Sequence, residues 1–228
     1  MKKLAVVTGA SKGLGREIRR HLQSNLGYSV LGISRTMPEP PDDIYAFYEE
    51  DYDLTTWNGM YEAETRIRLL GPLDLLVNNA GYFVYPPQIE TIQDSTSLFL
   101  IHCLSIHHFL STIRFNPGAN IINIASVAGM KGSPDMPMYG AMKAACISLT
   151  KSWARIMADR KTGIRVNAIA PGFFATNIAP EPLPDFLIET IPMKREGKPE
   201  EILPAIEMIL QSKFMTGSII TLDGGETA

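Results

Sequence analysis

The 228-residue chain alternates short apolar runs with longer stretches in which apolar residues recur every three or four positions. The short runs are LAVVT (4–8), YSVLGIS (28–34), IYAFYEE (44–50), LDLLVNN (73–79), ANIINIA (119–125), IRVNAIA (164–170) and SIITLD (218–223). Their β-branched and aromatic content, bounded by Gly, Pro, Asn or Asp, predicts seven strands. Several are nearly continuous in apolar residues, as strands become when helices cover both faces of a sheet. Helical spacing runs through 14–26, 94–114, 139–159 and 199–212. Strand and helix in alternation predict α/β architecture: a doubly wound parallel sheet of seven strands with helices on both faces.

The length suits one domain over 1–228. The Pro-rich stretches MPEPPDD (37–43) and APEPLP (179–184) are too short to be linkers. The first reads as a surface connection. The second opens an apolar segment with Leu183, Phe186, Leu187, Ile188, Ile191 and Met193, and together with Phe173 and Phe174 it reads either as core packing or as a substrate lid at 177–197.

Composition excludes some partners. Hydrophobic residues make up 45%, charged residues 20%, and the net charge is −3, which argues against disorder and against a phosphate-backbone binder. The apolar run Leu4–Val7 is too short for a secretory signal, and no run approaches the ~18 residues of a membrane span. A cytoplasmic protein with no nucleic-acid or membrane partner is expected. Cys103 and Cys146 form no CxxC or ligand cluster and are expected as reduced thiols, with no metal site. His102, His107 and His108 share one predicted helix, where packing or a subunit contact is the expectation rather than metal ligation.

The first strand runs into TGASKGLG, with Gly9, Gly13 and Gly15, and a helix begins at about Leu14. Glycines allow a tight turn and close backbone approach to phosphates, and the helix N-terminus offers N–H groups and a positive dipole end. Such a loop is a pyrophosphate cradle of the Rossmann type. No GxxxxGK[ST] P-loop occurs. About 20 residues beyond the loop, an acid would bind a ribose 2′-hydroxyl, whereas a cation accommodates a 2′-phosphate. Ser34 and Arg35 stand there, Lys12 adds a second cation, and NADP(H) is therefore favoured over NAD(H).

Taken together, TGASKGLG, NNAG (78–81), IASVAG, YGAMK and NAIAPGFFAT (167–176), with the terminal TGSIITLDGG (216–225), resemble the compact branch of the short-chain dehydrogenase/reductase family. The resemblance spans Val6 to Gly225. It implies that Tyr139 is the catalytic acid/base, Lys143 its activating partner and Ser126 the anchor of the substrate carbonyl. The implied cofactor set is Gly9, Ser11, Lys12, Gly13, Leu14, Gly15, Ser34, Arg35, Asp53, Leu54, Asn79, Ala80, Gly81, Tyr139, Lys143, Pro171, Gly172 and Thr176. Asp53 and Leu54 would meet the adenine, Asn78 and Ala80 would lie along the cofactor, and Thr176 would hold the nicotinamide carboxamide. A homodimer or homotetramer through the 94–114 and 139–159 helices is also implied, with Ile147, Leu149, Trp153 and Ile156 available to core or interface.

One stretch departs from the family. Many members carry an Asn in the helix before the serine strand, where it helps hold a water behind the lysine. The matching stretch here is FLIHCL (99–104), which puts Cys103 at that position, or His102 with a shift of one residue. The connection FNPGA that follows is short and uncharged, which argues for a free small molecule rather than a carrier-bound substrate.

The residue types fit carbonyl reduction. Such a reaction needs a hydride, a proton donor near the oxygen and a second donor to polarise it. A phenol titrates near pKa ~10 in water, so it gives a proton to an alkoxide-like oxygen readily and takes one back poorly near neutral pH. An ammonium four residues along the same helix face shifts that balance. IASVAG lacks the leading Gly of a GxSxG elbow, and no hydrolase triad follows it. The expected function is NADP(H)-dependent interconversion of a ketone or aldehyde and an alcohol. A 3-oxoacyl thioester reductase and a non-catalytic nucleotide-binding regulator are the alternatives.

Overall fold

The computed structural model describes residues 2–36, 47–49, 52–83, 91–176 and 183–228, with the backbone alone at 47–49. At its centre is one parallel sheet built from β1 Leu4–Thr8, β2 Ser29–Ile33, β3 Phe47–Glu49, β4 Leu73–Asn78, β5 Phe115–Ile124, β6 Arg165–Pro171 and β7 Ile219–Leu222. The seven strands run in the order β3-β2-β1-β4-β5-β6-β7. β1 lies between β2 and β4, with Val7 opposite Gly32 on one side and Val77 on the other. From β1 the chain steps outward to β3 and then crosses back to β4, so the connections that leave β1 and β4 diverge. A crevice at the carboxyl ends of these strands is the geometric result.

Alternation along each strand divides the core into two layers. Val6, Leu76, Ile121, Val166 and Ala168 face one layer, and Ala5, Val7, Leu75, Val77, Ile122 and Ile169 face the other. Both faces are dry, which is why the strands read as unbroken apolar runs. The first layer is covered by α2 Trp57–Leu70, α4 Ser105–Thr112 and α6 Pro137–Asp159, and the second by α1 Gly13–Ser24 and α8 Leu203–Gln211. In α6 the buried positions are Gly140, Lys143, Cys146, Thr150, Trp153, Ala154 and Met157. That three-and-four spacing is one helical stripe, and Pro137 at its first turn sets the start without costing a hydrogen bond. Across the sheet, Asn78 Nδ2 donates to Asn123 Oδ1 at 2.8 Å and Asn123 Nδ2 donates to Thr150 Oγ1 at 2.9 Å, a satisfied polar chain from β4 through β5 to α6.

Two sequence expectations are corrected. The helix expected over 94–114 is three consecutive pieces: α3 Ile92–Phe99, a π-helical turn Leu100–Leu104, and α4. A period of 3.6 does not register the extra residue that a π turn inserts. The stretch FNPGA is not a connection but the start of β5, with a register shift between Leu73 and Leu75 opposite it. The link from α4 to β5 is Ile113 and Arg114, so it carries a cation, and the argument from an uncharged connection falls away. The 37–43 stretch, residues 44–46 of the third strand run, and 177–182 of the expected lid lie outside the described residues.

Phe109 on α4 is fully buried in the layer beneath α2 and α6. Phe109→Ala is expected to cost about 3–5 kcal/mol. Urea unfolding should show this as a lower midpoint with an unchanged slope.

Candidate functional site

The crevice is a cleft of about 310 Å³ that begins at the glycine loop. Gly9 has φ +67°, and a Cβ built on it would lie 2.8 Å from Ala80 Cα and from Asn79 Nδ2. The loop is thus closed against the segment after β4, with room for backbone alone. Its shape is held by hydrogen bonds: Gly9 N donates to Ile33 O at 2.7 Å, Ser11 N to Ser34 Oγ at 3.1 Å, and Asn79 Nδ2 to Thr8 O at 2.9 Å. Lys12 is the N-cap of α1 and makes no side-chain capping bond. The first turn of α1, Gly13 and Leu14, lines the cleft with the N-terminal end of the helix. A phosphate-bearing nucleotide fits this cradle because the glycine backbone leaves the space that a side chain would fill.

Arg35, Ser34 and Thr36 line the cleft at the end of β2. No carboxylate stands beside them among the described cleft-lining residues except Asp53. Asp53 Oδ1 is engaged by Thr55 N at 2.9 Å and Thr55 Oγ1 at 2.7 Å, which fixes it at the start of the α2 approach.

At the far end the cleft meets α6. Lys143 is 5% exposed, and its ammonium donates to Ile124 O at 2.9 Å. Its Nζ lies 5.6 Å from the centroid of the Tyr139 ring. The Tyr139 ring makes edge contacts with Phe83, at 5.6 Å between centroids, and with His102, at 5.5 Å. Ser126 Oγ accepts from Ala128 N at 3.1 Å, so its own hydrogen is free to point elsewhere. The short helix α5 Ala128–Lys131 is packed tightly onto α6: a Cβ on Gly129 would lie 2.5 Å from Lys143 C. That contact sets the serine segment against the Tyr139 and Lys143 turn.

Nearly all of the residues expected from sequence line this one cleft: Gly9, Ser11, Lys12, Gly13 and Leu14 at its mouth, Ser34, Arg35, Asp53 and Leu54 along one wall, Asn79, Ala80 and Gly81 along its floor, and Ser126, Tyr139, Lys143, Pro171, Gly172 and Thr176 at its inner end. Gly15 does not line it. A Cβ there would strike Gly9 O and Asn79 Nδ2, so this glycine shapes the loop from behind. Asn78 is 6% exposed and turned into the polar chain toward α6, not along the cleft. Sequence reasoning missed Tyr52, Tyr82, Phe83 and Ile101, which also line the cleft. Tyr82 and Phe83 directly follow NNAG and were within reach of the motif; Tyr52 carries no signal of its own.

His102, not Cys103, enters the cleft; its Nε2 is 2.9 Å from Tyr82 O. Cys103 turns to α6, with Sγ 3.5 Å from Met142 O. Burial, with a smaller contribution from Cys146, pushes the Cys103 thiol up to about 12, and burial pushes Cys146 up to about 11, so both are inert protonated thiols at neutral pH. His107 packs on Trp153, with ring centroids 5.7 Å apart. His108 Nε2 meets Glu64 Oε2 at 2.7 Å. Burial alone would raise the Glu64 carboxyl, but hydrogen bonds from Arg68 and His108 outweigh it and leave it lowered. No group of three or more metal-ligating side chains occurs among the described residues. Leu183 and Ile191 are buried, Phe186 and Met193 are exposed, and Phe174 packs in the core and, with Phe173, also lines the cleft.

A parallel sheet with a glycine cradle at its switch point and a Ser, Tyr and Lys set at the other end of the cleft defines a dinucleotide-dependent class of enzyme. A family model described as Enoyl-(Acyl carrier protein) reductase matches residues 55–227. The chain is 32% identical over 234 residues to carbonyl reductase family member 4 of Xenopus laevis, covering 99% of this chain and 98% of that relative. It is 32% identical over 246 residues to the 3-oxoacyl-[acyl-carrier-protein] reductase FabG of Staphylococcus epidermidis, covering 99% of each. A short-chain dehydrogenase family protein from Francisella tularensis shares the fold with a TM-score of 0.88 at 24% identity, over 100% of this chain and 99% of that one. The chain belongs to the short-chain dehydrogenase/reductase family of oxidoreductases. Among the described residues, no helix is long and apolar enough to cross a membrane.

Gly15→Ala is expected to break the loop, since the new methyl has backbone on one side and Asn79 on the other. Fluorescence titration with the reduced nicotinamide nucleotides, NADPH and NADH alike, should show affinity reduced at least ~10-fold, the effect of a misplaced phosphate cradle, with the circular-dichroism spectrum unchanged.

Proposed function

We propose that the protein is an NADP(H)-dependent oxidoreductase that interconverts a ketone or aldehyde and the corresponding alcohol. The observation that carries this reading is the placement of Ser126, Tyr139 and Lys143 at one end of a cleft whose other end is the glycine cradle. The nicotinamide nucleotide, when bound, supplies the hydride in reduction and accepts it in oxidation. The chain's own groups handle the oxygen. Ser126 Oγ donates a hydrogen bond to the carbonyl oxygen, which polarises it. Tyr139 Oη transfers its proton to that oxygen as it becomes alkoxide-like, and the phenolate left behind lies in the field of the Lys143 ammonium. In oxidation the same phenolate takes the proton from the alcohol.

The preference for NADP(H) rests on Lys12 and Arg35 at the mouth of the cleft, where a 2′-phosphate would lie. Gly9, Ser11, Gly13 and Leu14 would hold the pyrophosphate, Asp53 and Leu54 the adenine, and Thr176 the carboxamide. An acyl thioester belongs among the candidate substrates, because one relative is named as a 3-oxoacyl-[acyl-carrier-protein] reductase and another as an acetoacetyl-CoA reductase. The same reading includes one domain over 1–228, a lid at 177–197 and a cytoplasmic location. It also includes a homodimer or homotetramer, supported by the apolar side chains left exposed on the helices concerned, Phe99 and Ile156.

NADPH consumption with pooled ketones, aldehydes, quinones and acyl thioesters tests the reading. Tyr139→Phe should lower kcat at least ~100-fold, the scale of a lost general acid, while NADPH still binds by fluorescence. Full turnover in that variant would remove Tyr139 from the proton transfer, whereas NADPH binding with no pool reduced by the wild type would leave the regulatory alternative standing. Arg35→Asp should move the ratio of kcat/KM for NADPH over NADH by at least ~10-fold toward NADH, since a carboxylate repels the extra phosphate; an unchanged ratio would overturn the cofactor assignment.

A further inference from the structure

His102 lies in FLIHCL, a stretch that departs from the family pattern, and its surroundings give it a definite state. The π turn Leu100–Leu104 carries the residue inward, and the ring is 2% exposed. Nε2 faces the carbonyl of Tyr82 at 2.9 Å. A carbonyl only accepts, so that nitrogen carries the hydrogen, and in a neutral ring Nδ1 carries the lone pair. The ring also fills the space beside Gly81, where a Cβ would strike it. Its edge contact with Tyr139 completes a three-way junction between the turn, the loop after β4 and α6.

We propose that His102 is a positioning residue for the reaction: held as a neutral Nε2–H imidazole, it ties the π turn to the Tyr82 carbonyl and braces the Tyr139 ring through an edge contact. The proposal rests on the reductase reading. Among the described residues, the ionisable groups packed about the ring are Tyr139 and Lys143 on α6 and Tyr82 beyond β4, with Cys103 next along its own turn. None of these is a carboxylate that would stabilise an imidazolium. Burial, and then the Lys143 ammonium, hold the imidazole well below its ordinary value of 6.5, against a smaller opposing effect of the Tyr82 hydrogen bond. The unfolded chain takes up a proton there that the folded chain refuses. This contribution to stability is therefore present above the ordinary histidine value and is lost as pH falls below it.

Long-range nitrogen–proton NMR on the full chain labelled at histidine reads the state without any turnover, with the His102→Asn spectrum assigning the signal. The expected result is a neutral Nε2–H ring at every pH from about 5 to about 8, across the range where an ordinary histidine titrates. A hydrogen on Nδ1, or a titration midpoint inside that range, would overturn the proposal. Kinetics form the second arm. His102→Leu should lower kcat for carbonyl reduction at least ~10-fold with KM for NADPH unchanged, the signature of misplaced reacting groups rather than lost binding. His102→Gln should recover most of that loss, because its amide Nε2–H stands where the imidazole Nε2–H does and reaches the Tyr82 carbonyl, and its melting temperature should fall less than that of the wild type as pH drops from about 7 to about 5. Wild-type kcat in His102→Leu would overturn the proposal. If the wild-type protein reduces no carbonyl, that failure belongs to the reductase reading, and the NMR arm alone decides the state of the brace.

Discussion

The hydroxyl of Thr8 is the joint on which the cleft depends. Thr8 ends β1, is 2% exposed, and its Oγ1 accepts from Asn79 N at 3.0 Å and from Ala80 N at 2.9 Å. These two amides lie just past the end of β4, where sheet pairing has stopped and a buried N–H would otherwise lack a partner. One side chain therefore joins the two strands at the point where their connections part. With Asn79 Nδ2 reaching back to Thr8 O and Gly9 O, the glycine loop and the NNAG segment become one rigid corner. Both walls of the cleft start from it: α1 and Arg35 on one side, His102 and the α6 turn on the other.

The strand pattern was legible because both faces of this sheet are buried. Leu4–Thr8 coincides with its apolar run to the residue, and the other runs agree within a few residues, except Phe115–Ile124, which begins four residues early. Of these four residues Phe115 and Asn116 are half-buried and Pro117 and Gly118 are exposed, so neither hydrophobicity nor strand propensity announced them; only pairing of Phe115 with Leu73 makes them part of the sheet. The cleft was legible for a different reason. Its residues are carried by short motifs whose spacing is set by turns and by one helix face, and these survive as patterns in a single sequence.

What stayed hidden in the sequence is what depends on a helix departing from its regular period. A π turn changes which side chain faces inward by one position, and this is the difference between Cys103 and His102 at the inner end of the cleft. Gly15 and Asn78 were misplaced by a related limit. Each lies within a motif, but one faces the back of the loop and the other faces the next strand, and a motif gives membership without direction.

The electrostatics of the inner end follow from what surrounds Lys143. No salt bridge to its ammonium occurs among the described residues, and its hydrogen-bond partner is a neutral carbonyl, that of Ile124. A buried cation without a carboxylate is costly, and that cost is met by the folding of α6 onto the sheet. A carboxylate at this place would neutralise the ammonium. With a neutral imidazole beside it instead, the field of the ammonium remains available to any negative charge that develops nearby. In the proposed reaction the phenolate of Tyr139 is that charge, so the unpaired lysine is an electrostatic preparation made before the substrate arrives.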